Sequence, residues 1–254
     1  VKNRRFWWRL LFGPSEVLLL FMFRFWTAGG RSSSRDDRLH GHLTCVNHTR
    51  EQVGDLLQKI KATGCKNILA LRGDPPGGGE FLPTPGGFEF SAQLVQFIRE
   101  QGGFSAGVAG FPEGHLACRA GKHADWLHLK AKVDAGADFV VTQLFFDNAD
   151  FFEFRDYLTS KLGVKVPIVP GVIAIVSATA IKKFTQICGA KIPPALGAKL
   201  DALGTDDAAA AEFGIEYATK QCEELLRAGV PGLHFYTLNK AASTVRVLKN
   251  LNLA

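Results

Sequence analysis

From residue 42 onward, short β-rich runs alternate with longer helix-patterned stretches. This alternation restricts the chain to a parallel α/β sheet or barrel. The runs are His42–Val46, Asn67–Leu71, Phe104–Phe111, Asp138–Phe146, Val166–Gly171 and Gly232–Leu238. Helices are predicted near Thr49–Ala62, Phe90–Gln101, His123–Ala135, Ala149–Leu162, Ala178–Ile187 and Ala241–Asn250, with an inserted pair at Pro193–Leu203 and Asp206–Ala228. At 254 residues, 46% of them hydrophobic, one (β/α)8 TIM barrel uses the whole chain. Six strand–helix units are visible, so two strands must come from residues 1–41. There the apolar stretches Phe6–Phe12 and Val17–Trp26 are joined by a Gly-Pro-Ser link too short for a parallel crossover. The expected organisation is an atypical segment over 1–41 and a barrel domain over 42–254, with the first strands irregular or incomplete.

The strand ends carry the chemistry. Leu69-Ala-Leu-Arg-Gly-Asp-Pro-Pro76 is an apolar run broken by Arg72, Gly73 and Asp74 and then stopped by two prolines. By itself this reads as a surface ion pair at the start of a loop. Similar polar positions recur at other strand ends: His42 and Thr44, Glu113 and His115, Gln143, and Tyr236 and Asn239. In a parallel barrel all of these face one cavity. The Gly/Pro-rich loop Pro75–Gly87 is long enough to be functional. No Walker loop, Ser-His-Asp order or strand-linked GxGxxG is present, so a dinucleotide has to bind by another route.

The net charge of +6 suits an anionic ligand, and beyond the first few residues no basic stripe interleaved with aromatics calls for nucleic acid. The five cysteines are scattered and lack CxxC spacing, which points to free thiols in a reducing compartment, hence the cytoplasm. His40 with His42, and His123 with His128, have no third residue at ligand-like spacing, so no metal site is expected. Residues 2–23 superficially resemble a basic and then an apolar leader region. Arg9, Glu16 and Arg24 interrupt it, and no spanning helix or membrane partner is expected.

Seven ordered motifs carry a specific resemblance. They are His42-Leu-Thr-Cys45, Ala70-Leu-Arg-Gly-Asp-Pro-Pro76, Val108-Ala-Gly-Phe-Pro-Glu-Gly-His115, Lys130-Ala-Lys-Val-Asp-Ala-Gly-Ala-Asp138, Thr142-Gln-Leu-Phe-Phe146, Pro167-Ile-Val-Pro-Gly171 and Leu233-His-Phe-Tyr-Thr-Leu-Asn239. Over residues 42–253 the chain resembles the catalytic domain of methylenetetrahydrofolate reductase. The resemblance implies a flavoprotein barrel in which FAD takes hydride from NADH or NADPH and passes it to 5,10-methylenetetrahydrofolate. That reaction serves one-carbon metabolism and methionine biosynthesis. By motif match, His42, Arg72, Gly73, Asp74, Phe90, Ser91, Phe111, His115, Asp125, His128 and Lys132 would contact FAD. Trp26 and Ala28, in Phe25-Trp-Thr-Ala-Gly-Gly30, would line the flavin. Asp74 would also face the folate pterin and act in catalysis, while Gln143, Phe184 and Lys240 would bind the folate substrate.

The chain also departs from the family pattern. Phe111 stands for the usual Tyr, Leu116 for Pro, His128 for an Asn of some relatives, and Ala131 for a second basic residue. The family's Phe-Glu-Phe-Phe-Pro-Pro, whose Glu is the general acid, is not found, and Glu16 is the only glutamate before Glu51. The expectation is an aberrant or truncated amino-terminal stretch. The alternative reading is a catalytically impaired barrel that binds FAD weakly or not at all. A homo-oligomer is compatible with either.

Overall fold

The structure is a computed structural model that describes residues 20–22, 39–75, 79–238 and 240–254. These fall into two compact units. The first holds the described residues up to Val108 together with Ala131–Asp138, and the second holds Ala109–Lys130 and Phe139–Ala254.

The first unit contains β1 (Leu20–Met22), β2 (Leu39–Thr44), α1 (Arg50–Ala62), β3 (Asn67–Leu71), α2 (Ser91–Gln101) and most of β4 (Ser105–Gly110). β2 pairs in parallel with β3, and β3 with β4. β1 lies within the apolar stretch Val17–Trp26 but pairs antiparallel with β2, which makes the start of the sheet irregular as expected. α1 is opened by a capping box: Thr49 Oγ1 accepts from the Gln52 N–H, and Gln52 Oε1 accepts from the Thr49 N–H at 2.9 Å. Its buried stripe is Val53, Leu56, Leu57 and Ile60, spaced so that one face meets the sheet. α2 buries Leu94, Val95 and Ile98 in the same way. Asp138 closes the unit. Its N–H donates to the Ala106 carbonyl at 2.7 Å, its carboxylate accepts from the Ala106 N–H at 2.8 Å, and Arg99 stands 3.4 Å away.

The second unit contains most of α3 (Lys122–Asp134), then β5 (Phe139–Leu144), α4 (Asn148–Asp156), β6 (Ile168–Val172), α5 (Ala178–Cys188), α6 (Pro194–Leu203), α7 (Asp207–Arg227), β7 (His234–Phe235) and α8 (Ala242–Asn250). β5 pairs in parallel with β6 across a bulge between Val141 and Leu144, and β6 pairs in parallel with β7. All five residues of β6 are buried, as the continuous apolar reading of a central parallel strand requires. Leu144, Phe146, Ile173, Ile175, Ile181, Leu196 and Leu200 form a core among the strand ends, α5 and α6. Trp126, Phe151 and Phe154 are fully buried.

The elements fall within a few residues of the sequence reading, with three instructive differences. β2 begins at Leu39, three residues before the apolar motif that marks it. α4 runs on into one π-helical turn, Tyr157–Lys161, closed by the Leu162 N–H on the Tyr157 carbonyl at 3.2 Å. β7 keeps only two residues of its predicted run, because Lys240 N–H bonds the Thr237 carbonyl at 2.7 Å and Leu238 takes φ 45°, which turns the chain away.

Gly214 lets the middle of α7 approach the chain after β6. A Cβ there would lie 2.0 Å from the Ile175 carbonyl oxygen, a backbone atom that cannot step aside. Gly214→Ala is therefore expected to lower stability by about 1–3 kcal/mol. Urea unfolding of the variant with an unchanged midpoint would contradict this packing.

Candidate functional site

In the first unit, the parallel pairing of β2 and β3 sets His42 opposite Leu69 and Thr44 opposite Leu71. Beyond the strand end, the Arg72 carbonyl accepts from the Cys45 and Val46 N–H groups, each at 3.1 Å. Gly73 follows with φ 80°, and a Cβ there would stand 2.7 Å from Val46 Cγ1. Positive φ and contact with β2 together demand glycine. The backbone therefore fixes where Arg72 and Asp74 leave the strand. The two do not form the ion pair that the sequence suggests on its own. The Arg72 guanidinium lies over the Phe81 ring at 5.2 Å, and among the described residues no cation pairs with the exposed Asp74 carboxylate.

His42 is a neutral imidazole, because burial lowers its pKa to about 4. Phe90 precedes α2 in extended conformation with an exposed ring, and Ser91 opens the helix. The loop before them is tied down by the Arg50 N–H on the Gly86 carbonyl at 3.0 Å and by buried Phe88 under the Arg50 guanidinium.

In the second unit, Phe111 and Gln143 line one pocket of about 10 Å³ with Glu113 and Cys188. It has room for one water at most. Phe111 meets the His115 ring edge-on at 4.6 Å, and its carbonyl accepts from Trp126 Nε1 at 2.9 Å. Gln143 Oε1 accepts from the Leu144 N–H at 2.9 Å. That bond fixes which end of the amide is the donor, and among the described residues Nε2 has no partner. The sequence marks Glu113 only as a strand-end polar residue. Its side chain is 6% exposed, and both carboxylate oxygens accept from the Lys191 N–H at 3.1 Å. Burial raises its pKa, partly offset by the Lys191 bond. It fastens the turn after α5 to the end of β4.

Tyr236 is a lock. Its hydroxyl donates to the Thr142 carbonyl at 2.9 Å, and Thr142 Oγ1 accepts from the Gly171 N–H at 2.9 Å, which ties β5 and β6 to the residue after β7. Phe184 packs against the core under α5, and Lys240 is exposed. Asp125 and His128 stand one turn apart on α3, with Lys132 a turn further on. Cys118 joins them: its ligating atom and those of Asp125 and His128 all lie within 4.8 Å of one another. The spacing Cys118-x6-Asp125-x2-His128 carried that signal. The histidine pairs alone do not reveal it. Trp26 and Ala28 lie outside the described residues.

A family model described as methylenetetrahydrofolate reductase matches residues 38–252. The chain belongs to the methylenetetrahydrofolate reductase family. A methylenetetrahydrofolate reductase (NADH) 1 of Arabidopsis thaliana is 40% identical over 223 residues, covering 84% of this chain. The chain spans 38% of the length of that relative. A 5,10-methylenetetrahydrofolate reductase of Pectobacterium carotovorum is 34% identical over 212 residues, 83% of this chain and 68% of its own length. A solved structure of a Clostridium thermocellum protein, titled as binding two copies of 5-methyl-5,6,7,8-tetrahydrofolic acid, superposes with a TM-score of 0.54 at 15% identity over 84% of this chain and 72% of that one. Its likeness supports the (β/α)8-barrel class of α/β fold. Among the described residues, no helix is long and apolar enough to cross a membrane.

Because burial holds the Glu113 carboxyl above the ordinary carboxylate range, the folded chain binds more protons than the unfolded chain between the ordinary and the raised value. Stability from this residue therefore falls as pH rises through that window. His42 acts oppositely: its contribution is present above 6.5 and is lost as pH falls toward about 4. Glu113→Gln keeps an acceptor for the Lys191 N–H and is expected to remove the loss on the rising side. Urea unfolding across about pH 4 to 8 reads both limbs; a Glu113→Gln profile parallel to the parent would sink the assignment.

Proposed function

We propose that the chain reduces 5,10-methylenetetrahydrofolate to 5-methyltetrahydrofolate, with NADH or NADPH as donor and FAD as resident cofactor. Family membership supports the reaction class. The observation that carries the reading to particular residues is Asp74, an exposed carboxylate held just past β3 with the neighbouring Arg72 turned to Phe81.

The donor set suits FAD. Its diphosphate calls for cations, which Arg72 and Lys132 supply. Its riboses call for short polar acceptors and donors, which Asp125, His115 and His128 supply. Its rings call for flat apolar surface and close backbone, which Phe90, Phe111, Gly73 and Ser91 supply. His42, uncharged near neutral pH, serves as a hydrogen-bonding group and not as a counter-charge. Trp26 and Ala28 complete the proposed set. When bound, FAD supplies the hydride relay between nicotinamide and folate.

The remaining roles belong to this chain's side chains. The negative charge of Asp74 stabilises the cationic iminium form of the folate substrate. Gln143 presents Nε2 as a donor to a pterin acceptor, because its oxygen is held by the Leu144 N–H. Lys240, exposed before α8, offers a cation to the anionic part of the folate. Phe184 acts through the core it packs against and shapes the apolar wall.

Asp74→Asn removes the charge and keeps the shape. The variant is expected to retain FAD, to oxidise NAD(P)H at near the parent rate with an artificial acceptor, and to reduce methylenetetrahydrofolate about 100-fold more slowly. Stopped-flow measurement of the two half-reactions separates them, and equal loss in both would count against this role for Asp74.

A further inference from the structure

The geometry points to a binding site for a thiophilic divalent cation, of the Zn2+ class, formed by Cys118, Asp125 and His128. One thiol, one carboxylate and one imidazole converge so that their ligating atoms all lie within 4.8 Å of one another. A tetrahedral zinc centre has ligand bonds of about 2.0–2.3 Å, which sets its ligating atoms roughly 3.3–3.8 Å apart.

The backbone holds the three residues ready. Cys118 N–H donates to the His115 carbonyl at 2.8 Å, and the Cys118 carbonyl accepts from the Gly121 N–H at 3.1 Å. Gly121, at φ 91°, supplies the backbone angle that brings the chain back onto α3. The Gly121 carbonyl then accepts from the Asp125 N–H at 3.2 Å, so the turn bearing the thiol is bonded directly to the residue bearing the carboxylate. His128 follows three residues later on the same helix face. All three ligands lie within one unit.

The donor set decides the metal class. Thiolate and imidazole select Zn2+ and Co2+ over Mg2+ and Ca2+, which prefer oxygen ligands. Three protein ligands leave a fourth position for water or an exogenous group. His128 is exposed and Cys118 half-buried, so an ion has a path in from solvent. The other four cysteines do not compete. Burial raises the thiol pKa of each, of Cys45 and Cys222 to about 12, which disfavours the thiolate that a metal needs. Asp125 and His128 also belong to the cofactor reading above, so a bound metal and FAD would draw on the same side chains. That consequence, unlike the site itself, rests on the proposed function.

Co2+ is the probe, added to the purified reduced chain at neutral pH. The expected result is one equivalent bound, with a thiolate-to-cobalt charge-transfer band and visible bands of tetrahedral intensity, both bleached by Zn2+. Cys118→Ser should abolish the charge-transfer band. His128→Gln should keep the band but weaken Co2+ binding at least about 10-fold. Far-ultraviolet circular dichroism checks that both variants are folded. Absence of the band in the parent, or its persistence in folded Cys118→Ser, overturns the site. FAD uptake is measured on the metal-free chain: if that chain takes up no FAD while Co2+ binds as described, the metal site stands and the cofactor reading fails, so the two fail separately.

Discussion

Parallel pairing is the constraint on which the rest of this molecule depends. A strand that runs parallel to its neighbour cannot be reached by a tight turn, so the chain must travel back along a helix before each new strand. The β2–α1–β3–α2–β4 and β5–α4–β6–α5 sequences obey this rule. Its chemical consequence is that within each unit successive strands end on the same side, and the residue just past each strand is free of the ladder. Arg72, Gly73 and Asp74 leave β3 in this way, and Glu113 and His115 follow the end of β4. The ladder supplies rigidity and the residues beyond it supply reactivity. The β2–β3 pair shows how tightly the two are joined, since a single carbonyl, that of Arg72, takes both the Cys45 and Val46 N–H groups. The position of Asp74 is thus set by backbone bonds before any side chain contributes.

The two units treat their strand ends differently. In the second, most polar groups at the ends are consumed internally: Tyr236 on Thr142, Thr142 on Gly171, Glu113 on Lys191, and Gln143 on its own chain neighbour. Each bond satisfies a buried or half-buried group that would otherwise cost about 1–3 kcal/mol to leave unmade. The amide nitrogen of Gln143 is the exception: among the described residues it has no partner. In the first unit the groups just past β3 are more open. Asp74 is exposed, Arg72 is held by a ring and not by a charge, and Phe90 presents an apolar face to solvent.

Most of this was legible in the sequence, for reasons that differ by element. α1 announced itself through Thr49, Gln52 and the stripe Val53–Ile60, and β6 through its unbroken apolar run. Both are local signals, and local signals survive folding. The antiparallel β1 was not legible, because a short apolar stretch such as Val17–Trp26 pairs in either direction and only its partner decides. The shortness of β7 was hidden for the opposite reason: its residues suit a strand, and the Thr237–Lys240 turn overrides them. Asp74 and Gln143 stand out in the sequence as candidates because motif and strand end coincide. The closed pair of Glu113 with Lys191 could not, because its partners lie 78 residues apart and meet through a backbone N–H that carries no side-chain signature.

The Cys118 cluster is only partly written in helix-type spacing. Metal ligands on one helix are found by fixed intervals, and Asp125 with His128 satisfies such an interval. The third ligand reaches them from outside the helix, over a turn whose shape depends on Gly121. Two of these residues are also the ones that a phosphate- and sugar-bearing ligand would use, because imidazole and carboxylate serve a metal and a ribose equally well. What distinguishes the two uses is the thiol. A cofactor's sugar and diphosphate make no demand for sulfur, whereas a thiophilic cation does. Cys118 is therefore the residue at which the two chemistries on α3 part.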